Sequence, residues 1–459
     1  MENLSTQTLP WNVYQKIAFR FVFIFFILFI VLLDWSINTI LSYLYYDLHL
    51  SNFLDIVISW VGKHLFHIPY TIISPYDGQH NDRTYIYLLY FTMVIVAALG
   101  AIIWSALDRK RTNYQMLYYW LTAFVRYYLA FTLFIFALEK FFKMQFPDLG
   151  FYTLTEPLGD MSPMSLAWAF FGYSYGYNVF MGIAESAALL LLFRRTMTFG
   201  AILTLVTLAN VMAVNYNYDV HAKMYPTALF MMTFFLLLRD ANRLIKFFFT
   251  GQAISLPVIK APVFKKRWMN ISKMVFKFLV IGYFIIFPVK NYFGYKKSSE
   301  EKGKAKSKIF GVYDVNTFVV NKDTLSNENP FRWNQIVIGD KMIEAVRFRG
   351  DSIAFVYVLA DKKEIFVSED QTDLFAKMQE IHDEQGINIW DSKMDSILTA
   401  RQIESRLGFE LTDSTTIKLK GIIKNDSVFI IAKRKPLDIK NFRLMKRDFH
   451  WINEASYAY

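Results

Sequence analysis

Two charged residues interrupt long apolar stretches of the sequence, where a charge is costly. Arg126 lies inside the run 120–130, and Glu185 lies among the small residues of 182–188. Within a bilayer an unpaired charge costs at least about 2.5–3.5 kcal/mol on insertion scales, so each residue is expected to have a partner. At about 1.5 Å per helical residue, Arg126 lies roughly 20 Å and Glu185 roughly 14 Å from the cytoplasmic end of its segment. We therefore predict that the two pair inside a helical bundle, either as a structural ion pair or as the floor of a polar cavity.

Further polar residues are expected around this intramembrane polar centre. Asn210 lies in the fifth apolar segment and could add a hydrogen-bonding group at a more outward level, or could join helices through its amide. A charged rim is predicted on the extracytoplasmic side, either solvated or part of a binding site. The rim residues are Glu139, Lys140, Asp160, Asp219, His221 and Lys223.

One loop contains histidine and carboxylate residues at a spacing that could bind zinc or manganese. They are His64, His67, Asp77, His80 and Asp82. Loops at a membrane surface often contain histidine without metal, and we predict no metal site.

The sequence offers little catalytic chemistry of its own. The chain has no cysteine, which excludes disulfides, iron–sulfur clusters and thiol redox relays. It contains no phosphate-binding loop, nucleotide fingerprint or nucleophile motif. We therefore predict no catalytic residue.

The composition is that of a membrane protein. Of the 459 residues 54% are apolar and 19% are charged, against about 45–50% and about 25% in soluble domains. Seven apolar segments approach the roughly 20 residues that cross a bilayer. They lie near residues 17–40, 85–107, 115–138, 174–193, 199–217, 224–238 and 271–289. The helix at 224–238 is expected to continue through 239–249 along the membrane surface, and segments 51–68 and 164–171 are predicted to be interfacial helices.

Basic residues collect on one side of these segments. That side holds 109–111, 194–195 and most of the lysines and arginines between 239 and 273. Because loops rich in Lys and Arg remain in the cytoplasm, the amino terminus is predicted to be cytoplasmic, and seven crossings then place the carboxyl-terminal region outside. The lysines of 296–308 oppose this prediction, but they follow the last segment. The net charge of +11 is thus expected to reflect orientation in a lipid bilayer, and no nucleic-acid partner is predicted.

From about residue 310 the pattern changes to an alternation with β-branched residues, which predicts strands. The predicted strands are 312–320, 335–338, 344–348, 353–358, 364–367, 415–423 and 427–434, with a hairpin at Lys424-Asn425-Asp426 between the last two. Helices are predicted near 371–384 and 396–407, with Gly408 as a helix stop. The result is a soluble α+β domain, mostly antiparallel sheet, that is large enough for its own core.

These patterns divide the chain into five parts. Residues 1–116 hold two transmembrane helices and an interfacial loop helix, and 117–249 hold a core of four transmembrane helices. Residues 250–295 hold a cytoplasmic loop and the seventh helix, 296–309 form a charged linker, and 310–459 form the α+β domain.

The residues of 117–249 resemble the four-helix unit of the DoxX-like membrane protein family. The matching motifs are Arg126-Tyr127-Tyr128-Leu129-Ala130, Glu139-Lys140, Gln145-Phe146-Pro147, Gly159-Asp160-Met161-Ser162-Pro163-Met164, Trp168, Gly172, Gly182, Glu185, Leu192-Phe193-Arg194-Arg195-Thr196, Asn210, Asn215-Tyr216-Asn217-Tyr218-Asp219-Val220 and Lys223. The whole chain is similar to a Bacteroidetes-type subgroup with extra helices and a soluble tail that ends near His-Trp-Ile, as His450-Trp451-Ile452 does here. The family's usual Asp-Val-Pro-Val-Lys run reads Asp219-Val220-His221-Ala222-Lys223.

The resemblance implies an inner-membrane protein of a double-membraned bacterium with its tail in the periplasm, but it implies no single activity. Three functions therefore stay open. The first is a membrane component of an envelope assembly, whose periplasmic domain contacts a protein partner in the periplasm or membrane. The second is a redox-linked subunit that binds a quinone near Arg126 and Glu185, since the family takes its name from a subunit of a thiosulfate:quinone oxidoreductase. The third is a carrier of a small or lipid-like solute, which is disfavoured because no internal repeat is visible and the prolines lie at predicted helix ends.

Overall fold

The computed structural model divides into two compact units. It describes residues 10–33, 50–70, 72, 82–256, 266–304, 309–338, 342–347, 352–356, 359–360, 364–366, 406–423 and 425–446. The first unit comprises Met1–Pro147 and Phe170–Lys296, and the second comprises Asp148–Ala169 and Lys297–Tyr459. The predicted helix 371–384, most of the predicted helix 396–407 and the terminal His450-Trp451-Ile452 lie outside the described residues.

In chain order the helices are α1 (Val13–Leu33), α2 (Leu50–His64), α3 (Thr84–Leu107), α4 (Gln115–Phe141), α5 (Phe151–Thr155), α6 (Pro163–Tyr173), α7 (Tyr175–Ser186), α8 (Met197–Asn217), α9 (Met224–Leu238), α10 (Ala241–Thr250), α11 (Arg267–Lys304) and α12 (Arg443–Lys446). A 3₁₀ segment, Ala187–Leu192, continues α7, and a short one, Ile439–Asn441, precedes α12. Each of the seven predicted apolar segments overlaps one of these helices, and α2 and α6 correspond to the helices predicted at 51–68 and 164–171.

Six spans in the described residues are long and apolar enough to cross a membrane, and the chain is accordingly a multi-pass membrane protein. They are α1, α3, α4, α7 with its 3₁₀ continuation, α8, and α11 as far as Lys297. The apolar helix α9 has only 15 residues, which is shorter than the roughly 20 that a bilayer requires. The expected number of seven crossings therefore depends on α9.

Helix α4 is the central helix of the bundle. Of its most apolar window 72% is buried, whereas none of the corresponding window of α11 is buried. Helix α4 packs against α7, α1 packs against α3, and α8 packs against α9. The close approach of α7 to α4 depends on Gly182, because a Cβ atom at this position would lie 2.6 Å from Cε1 of Phe141. Small residues at helix contacts of this kind are typical of membrane bundles.

Two expectations about the helices are wrong. Helix α9 does not continue through 239–249. A turn at Arg239 and Asp240 ends it, and the buried Asp240 carboxylate accepts a hydrogen bond from Thr198 Oγ1 at 3.0 Å. Pro288 lies inside α11 instead of at a helix end. The residues predicted to form a charged linker, 296–309, are helical as far as Lys304.

The second unit contains an antiparallel sheet. Its strands are β1 (Gly311–Val320), β2 (Asp323–Thr324), β3 (Trp333–Ile338), β4 (Met342–Arg347), β5 (Ser352–Val356), β6 (Leu359–Ala360), β7 (Glu364–Phe366), β8 (Arg406–Leu411), β9 (Thr416–Ile423) and β10 (Asp426–Arg434). The order of pairing is β5-β4-β3-β1-β10-β9-β8-β7-β6, and β2 pairs with β1.

The two ends of this pairing order lie next to each other in the chain. Strand β5 ends at Val356 and β6 begins at Leu359, a separation of three residue steps that spans at most about 11 Å. The first strand, β1, also pairs with the last, β10, from Tyr313–Arg434 to Val320–Val428. Strands β5 and β6, at opposite ends of the pairing order, must therefore lie near each other, so the sheet is strongly curled.

Alternate residues of these strands face an apolar interior. The interior cluster includes Tyr313, Phe318, Trp333, Ile336, Leu419 and Ile430. On the other face, Val312 and Val337 contact Phe151 of α5, so a residue from the segment between α4 and α7 completes the packing of the sheet unit. Burial on both faces explains why β1 and β3 are so rich in apolar residues.

All seven predicted strands are present, with bounds within two residues of those expected. Three strands, β2, β6 and β8, are not among those predicted. Gly408 is not a helix stop. It lies within β8, opposite Lys420 of β9, because the alternation of Leu407 and Phe409 gives this stretch a strand pattern.

Candidate functional site

The most buried ion pair of the helical unit joins α4 to α7. Lys140 Nζ lies 2.8 Å from Oε1 of Glu185, and both side chains are nearly inaccessible. Lys140 also donates to Gln145 Oε1 at 2.8 Å, and its Nζ lies 5.7 Å from the centre of the Phe146 ring. The ammonium group is thus surrounded by a carboxylate, an amide oxygen and an aromatic face.

A second carboxylate borders this pair. Glu139 accepts a long hydrogen bond of 3.4 Å from the hydroxyl of Tyr292 on α11, and it is close enough to Glu185 for the two carboxyl groups to repel each other. Oε2 of Glu185 is buried without a hydrogen-bond partner in the described part of the chain. We call Glu139, Lys140, Gln145, Glu185 and Tyr292 the outer polar cluster.

The predicted pair of Arg126 and Glu185 is wrong. Within the described residues Arg126 makes no ion pair with Glu185, and its Nε donates to the Leu191 carbonyl oxygen at 2.7 Å. Helical side chains tilt toward the amino terminus of their helix, so Arg126 reaches away from Glu185 while Lys140 reaches toward it. The 3₁₀ segment after Ser186 also makes the predicted depth of Glu185 wrong. This segment rises about 2.0 Å per residue instead of about 1.5 Å, so Glu185 lies farther outward than predicted.

Asn210 belongs neither to the outer polar cluster nor to the surroundings of Arg126. It lies on an exposed face of α8, whereas Arg126 and Glu185 are each 3% exposed. The uniform apolar character of α8 concealed which of its faces is buried.

The predicted rim divides into three environments. Lys140 and Glu139 belong to the outer polar cluster, while Asp160 and His221 are exposed. Lys223 binds Asp219 at 2.8 Å and lies 3.6 Å from Asp82. The hydrogen bond from Lys223 lowers the pKa of Asp219, and the same hydrogen bond raises the pKa of Lys223.

Asp82 links the beginnings of two helices. Its carboxylate accepts the backbone N–H groups of Lys223 at 2.8 Å and Met224 at 3.2 Å, at the amino end of α9. Its own N–H donates to the His221 carbonyl oxygen at 2.8 Å. Asp82 therefore acts as an N-cap supplied from a distant part of the chain, a role that satisfies helix N–H groups. Among the described residues no group of three His, Cys, Asp or Glu side chains could hold a metal ion, and Asp77 and His80 lie outside those residues.

A third polar group, which sequence reasoning missed, surrounds Arg20. This buried guanidinium donates to the Tyr114 hydroxyl at 2.6 and 3.0 Å, to Ser105 Oγ at 2.6 Å and to the Asp108 carbonyl oxygen at 3.0 Å. The Tyr114 hydroxyl in turn donates to the Asp108 carboxylate at 2.9 Å. The network joins α1, the end of α3 and the start of α4. Arg20 directly precedes the apolar run 21–33, and this position gives no sign of the network.

The described residues also form one apolar groove on the bundle surface. It has a volume of about 500 Å³ and is lined by Tyr14, Ile17, Ala18, Phe21, Ala98, Ala101 and Ile102. A specific ligand site needs a few converging polar groups, and this groove offers almost none. It is suited to a lipid chain more than to a substrate.

The charged residues of the bundle are mainly used to hold helices together. The outer polar cluster connects α4, α7 and α11, the Arg20 network connects α1, α3 and α4, and Asp82 connects α3 to α9. Within the outer polar cluster, Oε2 of Glu185 is buried and has no hydrogen-bond partner among the described residues.

Comparison with known proteins gives a family but no function. No protein-family model matches the chain, and no solved structure matches it. It is 33% identical over 124 residues to the uncharacterized protein YwoB of Bacillus subtilis (strain 168), and the match covers 27% of this chain and 79% of YwoB. Such identity over most of the relative's length places the chain in the same protein family as YwoB.

Proposed function

We propose that this chain is a membrane component of a cell-envelope assembly, of the DoxX-like type, with the sheet unit as its interaction domain. On this proposal it resides in the inner membrane, with its amino terminus in the cytoplasm and the sheet unit in the periplasm, where it contacts a protein partner. The family shared with YwoB is compatible with this proposal and names no activity.

The observation that carries the proposal is the Lys140–Glu185 ion pair. The sequence predicts that Glu185 pairs with Arg126, as a structural ion pair or as the floor of a polar cavity, yet its carboxylate is neutralised by Lys140 of the same chain at 2.8 Å. A buried pair of this kind costs desolvation energy and is retained where it fixes one arrangement of helices. The bundle is then a rigid platform, and the distinctive exposed surface for a partner belongs to the sheet unit.

A quinone-linked redox role is the second candidate, and one observation favours it. Oε2 of Glu185 and Oγ of Ser186 are buried, and neither has a hydrogen-bond partner in the described residues. A quinone site is an apolar pocket with one or two polar groups, and these two atoms could supply them. The chain itself has no redox-active group, so a partner would have to supply or accept the electrons.

A carrier for a small or lipid-like solute is the third candidate. Carriers often have helices that are broken within the membrane. The change from α helix to 3₁₀ helix after Ser186 and the position of Pro288 inside α11 are two such irregularities. No internal repeat accompanies them, which keeps this candidate behind the other two.

The test is purification of the full-length chain in mild detergent, with mass spectrometry of the proteins, quinones and lipids that accompany it. The double variant Lys140→Met/Glu185→Leu is purified in parallel, because it removes the polar atoms and keeps the helix contact apolar. The assembly proposal expects a stoichiometric protein partner with both forms. A quinone bound to the wild-type chain and lost from the double variant, without any protein partner, would refute the proposal and support the redox role.

A further inference from the structure

A group of cations lies where the 3₁₀ segment ends. Nε of Arg126 donates to the Leu191 carbonyl oxygen at 2.7 Å, and Nζ of Lys277 on α11 donates to the next one, that of Leu192, at 3.3 Å. Arg194 follows two residues later, and its positive charge acts on both Arg126 and Lys277. We call Arg126, Arg194 and Lys277 the inner cationic cluster.

The end of a helix attracts cations to its free carbonyl groups, but this explains only part of the arrangement. Nη2 of Arg126 is buried and has no partner in the described residues, although the side chain is only 3% exposed. Across the part of the chain that the structure describes, neither Arg126 nor Lys277 forms an ion pair with a carboxylate. The side chains whose charges act on Lys277 are the other two cations of the cluster. The buried N–H group lacks an acceptor, and an anion would supply one while it compensates the positive charge.

The position of the cluster indicates which anion can reach it. Leu192 is the last residue of the 3₁₀ segment, and the next two residues, Phe193 and Arg194, are exposed. The aromatic ring of Phe193 lies 5.5 Å from Nζ of Lys277. Arg126 tilts toward the start of its own helix, as helical side chains do. The cluster thus lies close to the point where an apolar span gives way to an exposed loop.

We propose that the inner cationic cluster binds a phosphate group, and that this phosphate belongs to an anionic phospholipid of the adjoining leaflet. The planar guanidinium of Arg126 suits phosphate oxygens, to which Nη2 donates, and Lys277 contributes a compact charge. Basic pockets between transmembrane helices bind anionic headgroups by this combination of charges. The exposed Phe193 contacts the apolar part of the same lipid.

The test uses the full-length chain in nanodiscs of phosphatidylcholine with and without phosphatidylglycerol, and native mass spectrometry counts the phosphatidylglycerol molecules that are retained. Lys277→Gln removes the charge and keeps an N–H group for the Leu192 carbonyl. Lys246→Gln is the matched control, because Lys246 is an exposed lysine of α10 outside the cluster. We expect Lys277→Gln to weaken retention of one phosphatidylglycerol molecule about fivefold, as the loss of one basic residue near a lipid surface predicts, and Lys246→Gln to leave it unchanged.

Two results would overturn the inference. Equal loss of phosphatidylglycerol from both variants would mean that diffuse surface charge attracts the lipid and that no site exists. Stabilisation of the chain in pure phosphatidylcholine nanodiscs by inorganic phosphate, equal to that given by phosphatidylglycerol and abolished by Lys277→Gln, would assign the site to a free phosphate ion and refute the lipid source.

Discussion

Lys140 determines how Glu185 can be buried in the bundle. The lysine lies near the carboxyl end of α4, and its side chain tilts back along the helix into the bundle, where the Glu185 carboxylate is 2.8 Å away. Removing one member of such a pair leaves the other charge buried without compensation, which typically costs about 3–5 kcal/mol. Replacing both members by apolar residues avoids this cost.

A double-mutant cycle at this pair tests that argument. We expect Lys140→Met alone and Glu185→Leu alone each to lower the free energy of unfolding by about 3 kcal/mol, and the double variant to lie within about 1 kcal/mol of the wild type. The measurement is reversible unfolding of the full-length chain in mixed micelles. Lys290→Met is the control, because Lys290 is an exposed lysine of α11, and we expect it to have almost no effect. Additive losses in the double variant would show that the two charges do not interact.

The sequence showed at this scale which residues needed partners, but not which partners they have. The cost of burying a charge identified Arg126 and Glu185 from their neighbours alone. The partners depend on the direction in which each side chain tilts and on the 3₁₀ segment that shifts the level of Glu185. Lys140, next to Glu139 at a helix end, seemed to belong to a solvated rim because nothing in the sequence reveals that this end of α4 is covered by α7 and α11.

The contact between α4 and α7 is set at the scale of helices by one small residue. A Cβ atom at Gly182 would lie 2.6 Å from Cε1 of Phe141, whereas a Cβ atom at Gly176, on the same helix, would meet only Ser174 Oγ at 3.9 Å. Space for a methyl group is therefore absent at one glycine and present at the other.

We expect Gly182→Ala to destabilise the full-length chain by about 1–3 kcal/mol, which is the usual cost of overpacking. Gly176→Ala should be neutral or stabilising by up to about 1 kcal/mol, because alanine is the better helix former. Thermal unfolding of both variants under identical detergent conditions gives the comparison. The combination Gly182→Ala/Phe141→Leu should recover much of the loss, since leucine has no ring edge at this point. Equal behaviour of the two glycine variants would contradict a close contact at Gly182.

Elements with a clear period were predictable, and elements that depend on distant partners were not. Seven of the ten described strands of the sheet unit are predicted from a period of two, to within two residues. The end of α9 at Arg239–Asp240 depends on a hydrogen bond from Thr198, which is distant in sequence. Gly408 fits a helix stop because glycine has that role in many helices, while its role in a strand depends on pairing with β9.

Across the whole molecule, the number of crossings depends on α9. Its 15 residues extend about 22 Å, whereas the hydrocarbon core of a bilayer is about 30 Å thick. Helix α9 can cross only if the bilayer thins beside it or if flanking residues complete the span, both of which are known responses to a short segment. Asp82 holds the amino end of α9 beside the start of α3, and α10 turns away at the other end.

Single cysteines placed on either side of α9 decide between six and seven crossings, and the chain contains no cysteine that would add background. Asp219, whose side chain is 73% exposed, lies before α9, and the exposed Lys246 lies after it. We expect Asp219→Cys to react with a membrane-impermeant maleimide that is added outside cells with a permeabilised outer membrane. Lys246→Cys should react only after the cells are broken, since the positive-inside rule predicts that α10 lies in the cytoplasm.

Labelling of both positions from the same side would mean that α9 does not cross, and the sheet unit would then lie on the same side of the membrane as the amino terminus. Labelling of the two in the reverse order would keep the seven crossings and invert the orientation.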